Sequence, residues 1–299
     1  MRQATATRQS KAERVGVLSR VVAAVSALVF APAASVPAIA AEPPHRVVSM
    51  NVCTDQLAML LAGEGQLYSV SYLASDPSAS VLAGEAGRYA VNHGLAEEVF
   101  LMSPDLVIAG TYTTRTTVAL LRRLGFRVEE FAPASSFADI REHIMRMGEI
   151  LGRQEKAFEL VAQMDAELAE LRAQPSSGKT VALYYANNYT SGAGTLVDET
   201  VKAAGLVNIA DKLGMQGTSQ LPLELLVLEK PDLVVTSEGE YAAPALAEQG
   251  YVHPAFKALT GGRKAVNVPS KYTICGAPFT LEAVRIMRDA ARTQEGKTQ

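Results

Sequence analysis

Ten tyrosines and no tryptophan occur in the 299 residues, and six of the tyrosines, Tyr72, Tyr112, Tyr185, Tyr189, Tyr241 and Tyr272, fall in or beside segments that read as loops following strands. A phenol offers a flat apolar face and a polar tip, a combination suited to holding a large amphipathic ligand. Asn51, Asn187 and Asn188 add neutral donors and acceptors in the same loops, although asparagine is also an ordinary turn residue. The run Thr111-Tyr112-Thr113-Thr114-Arg115 supplies hydroxyls and a guanidinium able to pair bidentately with a carboxylate, a phosphate or an anionic chelate. The same run also describes a capped helix start with Arg115 in solvent. Met50 and Cys53 lie in a first loop, Met50 to Asp55, and Cys275 in a last one, Lys271 to Gly276.

Bond-breaking chemistry finds little support. There is no Gly-x-Ser-x-Gly, no Gly-rich phosphate loop ending in Lys-Ser/Thr, and no His-Glu-x-x-His. An exported enzyme using Cys53 as nucleophile is the alternative of another class, and nothing in the sequence orients a histidine toward it. Direct metal ligation is disfavoured too. Of four histidines, His45 stands near the start of the folded part, His143 falls on a helix outside the cleft, and His93 and His253 sit in separate loops.

The elements that must position these residues come from an internal repeat. Glu97 to Ile108 (EEVFLMSPDLVI) recurs as Glu224 to Val235 (ELLVLEKPDLVV) at an offset of 127 residues. In each copy an acidic residue opens a short helix, Pro-Asp ends it, and Leu-Val begins a strand. Upstream of each copy lies a strand, a polar loop and a helix: Arg46–Ser49 then Asp55–Leu61, and Val181–Tyr185 then Leu196–Ala204. Downstream lies a helix and a strand: Val118–Leu124 then Phe126–Phe131, and Ala255–Leu259 then Lys264–Val268. Such alternation predicts an α/β fold of two Rossmann-like lobes with mostly parallel sheets, whose ligands gather at the carboxyl ends of the strands. Between the halves, Phe137, Ile140, Ile144, Met147 and Leu151 have helical spacing, with Ser136 and Asp139 placed as a capping pair and Gly152 as the stop. A further helix over Gln154–Ala173, about 30 Å long, carries Ala157, Leu160, Val161, Met164, Leu168 and Leu171 on one face. As the one link between lobes it predicts a stiff hinge and small closure.

Residues 1–40 read as a cleavable signal peptide: five basic residues, an apolar run Val21–Phe30 and small residues ending Ala38-Ile39-Ala40. The run is interrupted by Pro32 and Pro37 and is short for a membrane span. Domain bounds follow as 1–40 signal peptide, 41–152 first lobe, 153–174 linking helix and 175–299 second lobe, with a soluble mature chain in the periplasm. The segment removes five basic and one acidic side chain, leaving 23 basic against 30 acidic. A net charge of −7 argues against a nucleic-acid partner. Two cysteines in an exported chain allow one disulfide. Cys53 and Cys275 fall in the first and last cleft loops, so a bridge would tie the lobes there, while spacing alone leaves free thiols open.

The opening Arg46-Val47-Val48-Ser49-Met50-Asn51, the two Pro-Asp-Leu-Val segments and the single long helix between them resemble the helix-linked periplasmic binding proteins of ABC importers for ferric siderophores, haem and cobalamin. The resemblance extends over the whole chain after the signal. It implies a monomeric, non-enzymatic receptor without a cofactor of its own, which captures a small-molecule metal chelate and hands it to a permease dimer with its ATPase. It further implies that Glu97 and Glu224, one surface glutamate per lobe, dock onto permease arginines. Ferric siderophore is favoured over cobalamin or haem because Arg115 and the hydroxyl-rich loop suit a polar, often anionic ligand.

Overall fold

The computed structural model describes residues 42–113, 115–237, 246–261 and 265–295. Residues 1–41, Thr114, most of the loop after Ser237 including Tyr241, and Lys264 lie outside the described residues. The strands are β1 (Val47–Ser49), β2 (Leu67–Ser71), β3 (Ala90–Asn92), β4 (Leu106–Gly110), β5 (Val128–Phe131), β6 (Thr180–Leu183), β7 (Tyr189–Ser191), β8 (Val207–Asn208), β9 (Thr218–Gln220), β10 (Leu233–Thr236) and β11 (Ala265–Asn267). The first half carries helices α1 (Val52–Leu61), α2 (Ala83–Ala86), α3 (Ala96–Met102), α4 (Arg115–Arg123) and α5 (Phe137–Leu151). After α6 (Gln154–Ala173) come α7 (Leu196–Ala203), α8 (Ile209–Lys212), α9 (Leu223–Glu229), α10 (Gln249–Val252), α11 (Pro254–Thr260) and α12 (Thr280–Glu295).

Two parallel sheets result. The first has the order β3-β2-β1-β4-β5, the second β11-β10-β6-β8, and β7 and β9 form a separate antiparallel ribbon. Read from the other edge, the second sheet runs β8-β6-β10-β11, the counterpart of β2-β1-β4-β5. The repeat therefore reproduces a sheet topology, and not only a motif. Runs such as Leu106–Gly110, buried along their whole length, are what a strand covered on both faces requires.

The repeat motif has an identical local structure in both halves. α3 and α9 each span seven residues, and each ends on a residue in the left-handed region, Ser103 (φ 49°) and Lys230 (φ 47°), followed by Pro-Asp. The aspartate then anchors the strand beside its own. Asp105 accepts from the backbone N–H groups of His45 and Arg46, at 2.6 and 2.9 Å, where β1 begins. Asp232 accepts from the backbone N–H and the hydroxyl of Thr180, at 2.7 and 2.8 Å, where β6 begins. Each carboxylate thus ties down backbone donors about 52–60 residues upstream.

The two helices between the sheets keep their sequence-predicted bounds. Ser136 Oγ accepts from the Asp139 N–H, and Gly152 (φ 69°) ends α5. Gly148 lies so near α6 that a Cβ there would come within 2.3 Å of the Ala157 Cβ. One apolar core cluster runs through both halves, with α1 (Leu57, Leu61), α5, α6, α7 and α12 all contributing. α12 is locked by Arg288, which is buried. Its guanidinium donates to the carbonyls of Leu171, Ala203 and Ala204, the last turns of α6 and α7. A cation at two helix C-termini meets both the unpaired carbonyls and the negative ends of the dipoles. No helix among the described residues is long and apolar enough to cross a membrane.

Candidate ligand-binding site

The site forms where β1, β4 and β5 end. Asn51 caps α1, its Oδ1 accepting from the Cys53 N–H at 3.0 Å. Because that cap is present, α1 begins at Val52 rather than Asp55, and Cys53 lies on its first turn. Buried Thr54 donates its hydroxyl to the Asn51 carbonyl and shares a 2.8 Å hydrogen bond with Ser49. At the end of β4, a Cβ on Gly110 would come within 3.1 Å of the Asn51 side chain. Glycine there gives Asn51 room across the strand end. A turn follows: the Gly110 N–H donates to Thr113 Oγ1, and the Thr113 N–H donates back to the Gly110 carbonyl. Thr113 is thereby engaged within its own loop, and Tyr112 is left 84% exposed.

These elements enclose a pocket of about 100 Å³ lined by Asn51, Thr54, Thr111, Tyr112 and Phe131, among others, and from the far end of the chain by Ile274 and Gly276. Cys53 is joined to Cys275 by a disulfide with Cα atoms 5.0 Å apart, so the pocket wall is covalently stitched from residues 222 apart in sequence. The halves are therefore linked by this bridge as well as by the chain through α5 and α6. Gly276 allows the approach. A Cβ there would lie 2.4 Å from the Ala134 Cβ and 2.9 Å from Ile140.

His143 departs from the expectation of a place outside the cleft. It is on α5, yet its ring lines the pocket and meets Phe131 edge-on, with centroids 5.6 Å apart. Burial holds its pKa below the usual imidazole value, against the opposing pull of Asp139 and Glu142. The ring is therefore neutral at neutral pH, one nitrogen donating and one accepting. The signal was available in the helical phase, since position 143 is three residues past Ile140 and adjoins the buried stripe of α5.

Other expected site residues are spread more widely. Tyr72, 53% exposed after β2, stacks on His93 after β3, with centroids 5.6 Å apart. Glu98 holds that histidine, accepting from its backbone N–H at 2.6 Å and lying 3.0 Å from its Nδ1. Tyr72 and Tyr112 follow strands two places apart in the sheet, roughly 10 Å at ordinary strand spacing. Arg115 is exposed at the first position of α4 and does not line the pocket. Met50 is a correction: its side chain is buried in a core cluster with Val48, Val99, Val107 and Leu121.

In the second half, Asn187 and Asn188 occupy consecutive left-handed positions (φ 57° and 60°), which explains their residue type. Asn188 turns inward, its Oδ1 accepting from the buried Tyr184 hydroxyl at 2.6 Å. Tyr185 packs against the main core, and burial pushes its hydroxyl pKa up. Tyr189 is exposed on β7. Tyr272 is half-buried against the core under Lys271, whose Nζ stands 5.5 Å from the ring centroid. Glu97 and Glu224 are both exposed, each the second residue of its helix.

Residues 47–260 match the family described as periplasmic binding protein. The chain belongs to that family. As a periplasmic binding protein it is a solute-binding protein and not an enzyme. A cobalamin-binding protein of Halobacterium salinarum is 29% identical over 261 residues, covering 83% of this chain and 69% of the relative. Among solved structures, the periplasmic vitamin B12-binding protein BtuF of Vibrio cholerae superposes with a TM-score of 0.64 at 22% identity, covering 85% of this chain and 98% of that one. The periplasmic heme-binding protein HutB of Vibrio cholerae gives a TM-score of 0.69 at 20% identity, covering 82% and 97%. These likenesses carry the fold of this periplasmic binding protein.

Proposed function

We propose that this protein is the substrate-binding component of an ABC importer, exported to the periplasm behind a cleaved signal at residues 1–40, and that it captures a cobalt corrinoid of the cobalamin type. The observation that carries the choice of ligand is the neutrality of the pocket. Among the described residues its lining has no Asp, Glu, Lys or Arg, and its histidine is kept uncharged by burial. Asn51, Thr111, Tyr112 and His143 offer uncharged donors and acceptors beside apolar surface, which matches an amide-bearing macrocycle better than an anionic chelate. The name of the Halobacterium relative supports the same ligand.

A pocket of about 100 Å³ is below the roughly 300–1,000 Å³ of a site that swallows a ligand whole. It takes one edge of the macrocycle, the remainder lying over exposed Tyr112 toward Tyr72. A ferric siderophore is the second reading, favoured by Arg115 at the positive end of α4. A cation there is unfavourable for the helix and would be relieved by an anion.

Titration of the purified protein with cyanocobalamin, an anionic ferric tris-catecholate siderophore and haemin, followed by tyrosine fluorescence and calorimetry, tests the choice. Cyanocobalamin is expected to bind most tightly, with Tyr112→Ala weakening it at least tenfold. Tight binding of the ferric catecholate alone would install the second reading, and millimolar or weaker binding of all three would end the proposal. Glu97 and Glu224, exposed at equivalent positions, are assigned to docking on a basic permease surface.

A further inference from the structure

The twelve-residue repeat contains six identities: Glu97/Glu224, Leu101/Leu228, Pro104/Pro231, Asp105/Asp232, Leu106/Leu233 and Val107/Val234. Four have intramolecular work. The leucine and valine pairs at its end are buried strand residues, the prolines are buried after the left-handed caps, and the aspartates anchor β1 and β6. The other two pairs have none. Neither glutamate has an ion pair or hydrogen bond among the described residues, and Leu101 and Leu228 are 81% and 71% exposed.

A single exposed leucine is ordinary. Two at the same register of two halves whose surface positions in the motif otherwise share only the glutamate and the strand-anchoring aspartate are not. Within each helix the leucine is four residues after the glutamate, so both side chains emerge on one face, roughly 5–6 Å apart. Val99 and Leu226, at matching positions between them, point into the core.

We infer that Glu97–Leu101 and Glu224–Leu228 are two copies of one contact, a carboxylate beside an apolar knob, made to fit a partner that presents the same basic and apolar site twice: a permease homodimer in the membrane. This rests on the docking assignment above and adds the leucines to it. A second copy of this chain fits poorly, because it would bring like-charged glutamates together on chains that are already acidic. A basic partner complements them. The apolar knob supplies contact that salt does not screen, whereas exposed ion pairs alone are weak.

The test uses the ligand-free protein and the permease–ATPase complex of its own importer in liposomes. Leu101→Ser/Leu228→Ser is expected to bind the complex at least tenfold more weakly than the parent, with each single variant intermediate and thermal melting unchanged. Glu97→Gln/Glu224→Gln is expected to weaken binding and to flatten its salt dependence. Weakening by the glutamate pair with none by the leucine pair would overturn the inference and leave the docking assignment standing. No effect of the glutamate pair would overturn the assignment itself. A parent that sediments as a dimer, while the leucine variant sediments as a monomer, would assign the knobs to self-association and refute the permease.

Discussion

Removing the Cys53–Cys275 bridge, as Cys53→Ser/Cys275→Ala, frees the longest closed loop that the fold contains among its described residues. Cross-linking residues 222 apart removes chain entropy from the unfolded state on the order of 18 cal/mol/K, or about 5 kcal/mol at 25 °C, with measured values for native bridges nearer 2–5 kcal/mol. Cys275 is buried and Cys53 partly so, and alanine and serine fill slightly less space, which adds a small packing loss. The expected total of about 3–5 kcal/mol is a large share of the 5–15 kcal/mol typical of a folded protein. Urea unfolding followed by circular dichroism measures it directly. The variant should show a lower midpoint and a steeper slope, because an uncrosslinked chain exposes more surface on unfolding. Equal midpoints for variant and oxidised parent, or two thiols that alkylate in the native parent without reductant, would refute the reasoning.

Three other perturbations follow from packing and burial. Gly276→Ala places a methyl 2.4 Å from the Ala134 Cβ, so it should lower stability by about 1–3 kcal/mol and weaken ligand binding through the displaced pocket wall; unchanged melting would mean that the loop yields freely. Arg288→Met leaves three carbonyls at the ends of α6 and α7 without their donor and should cost about 2–4 kcal/mol, read by chemical denaturation, with a neutral result showing that water replaces the guanidinium. Buried Asp55 has its pKa raised to about 6, chiefly by burial, against hydrogen bonds from Ser49 and Ser71 that pull it down. A folded-state pKa above the unfolded one stabilises the protein at low pH, and that contribution is lost as pH rises from 3.8 through about 6, on the order of 3 kcal/mol in all. Asp55→Asn should therefore gain on the parent as pH rises through that window, and a parent-minus-variant difference that is flat from pH 4 to pH 7 would contradict the shift.

The sequence made the repeat visible because its residues serve local structure. A left-handed cap, a proline and a buried strand start must follow one another in the chain, so they leave a contiguous trace. The bounds of α5 and α6 were legible for the same reason, with Ser136, Gly152 and an unbroken apolar stripe marking them. What stayed hidden was decided across the chain. β3, β7 and β9 are three residues each, too short for a period-two pattern, and exist because a neighbouring strand pairs with them. Met50 looked like a loop residue and is core, because α1 starts at the Asn51 cap and the chain turns inward one residue earlier. Asn188 read as a ligand donor, yet its partner is a tyrosine hydroxyl four residues before it. The repeat aspartates were read as helix ends, and their bonds to β1 and β6 could have been suspected only from their appearing twice.

The guanidinium of Arg288 has a consequence for the order in which the molecule can be completed. A chain that emerges with its amino terminus first delivers α6 and α7 long before residue 288. Until then the carbonyls of Leu171, Ala203 and Ala204 have no internal partner, and the part of the core that α12 fills with Leu281, Val284 and Met287 stays open. The first sheet can form early from neighbouring strands and helices. The second half must wait for its last helix, so any truncation that removes α12 should leave a finished first sheet beside an unfinished second one, and the closing of the structure is timed by its final segment.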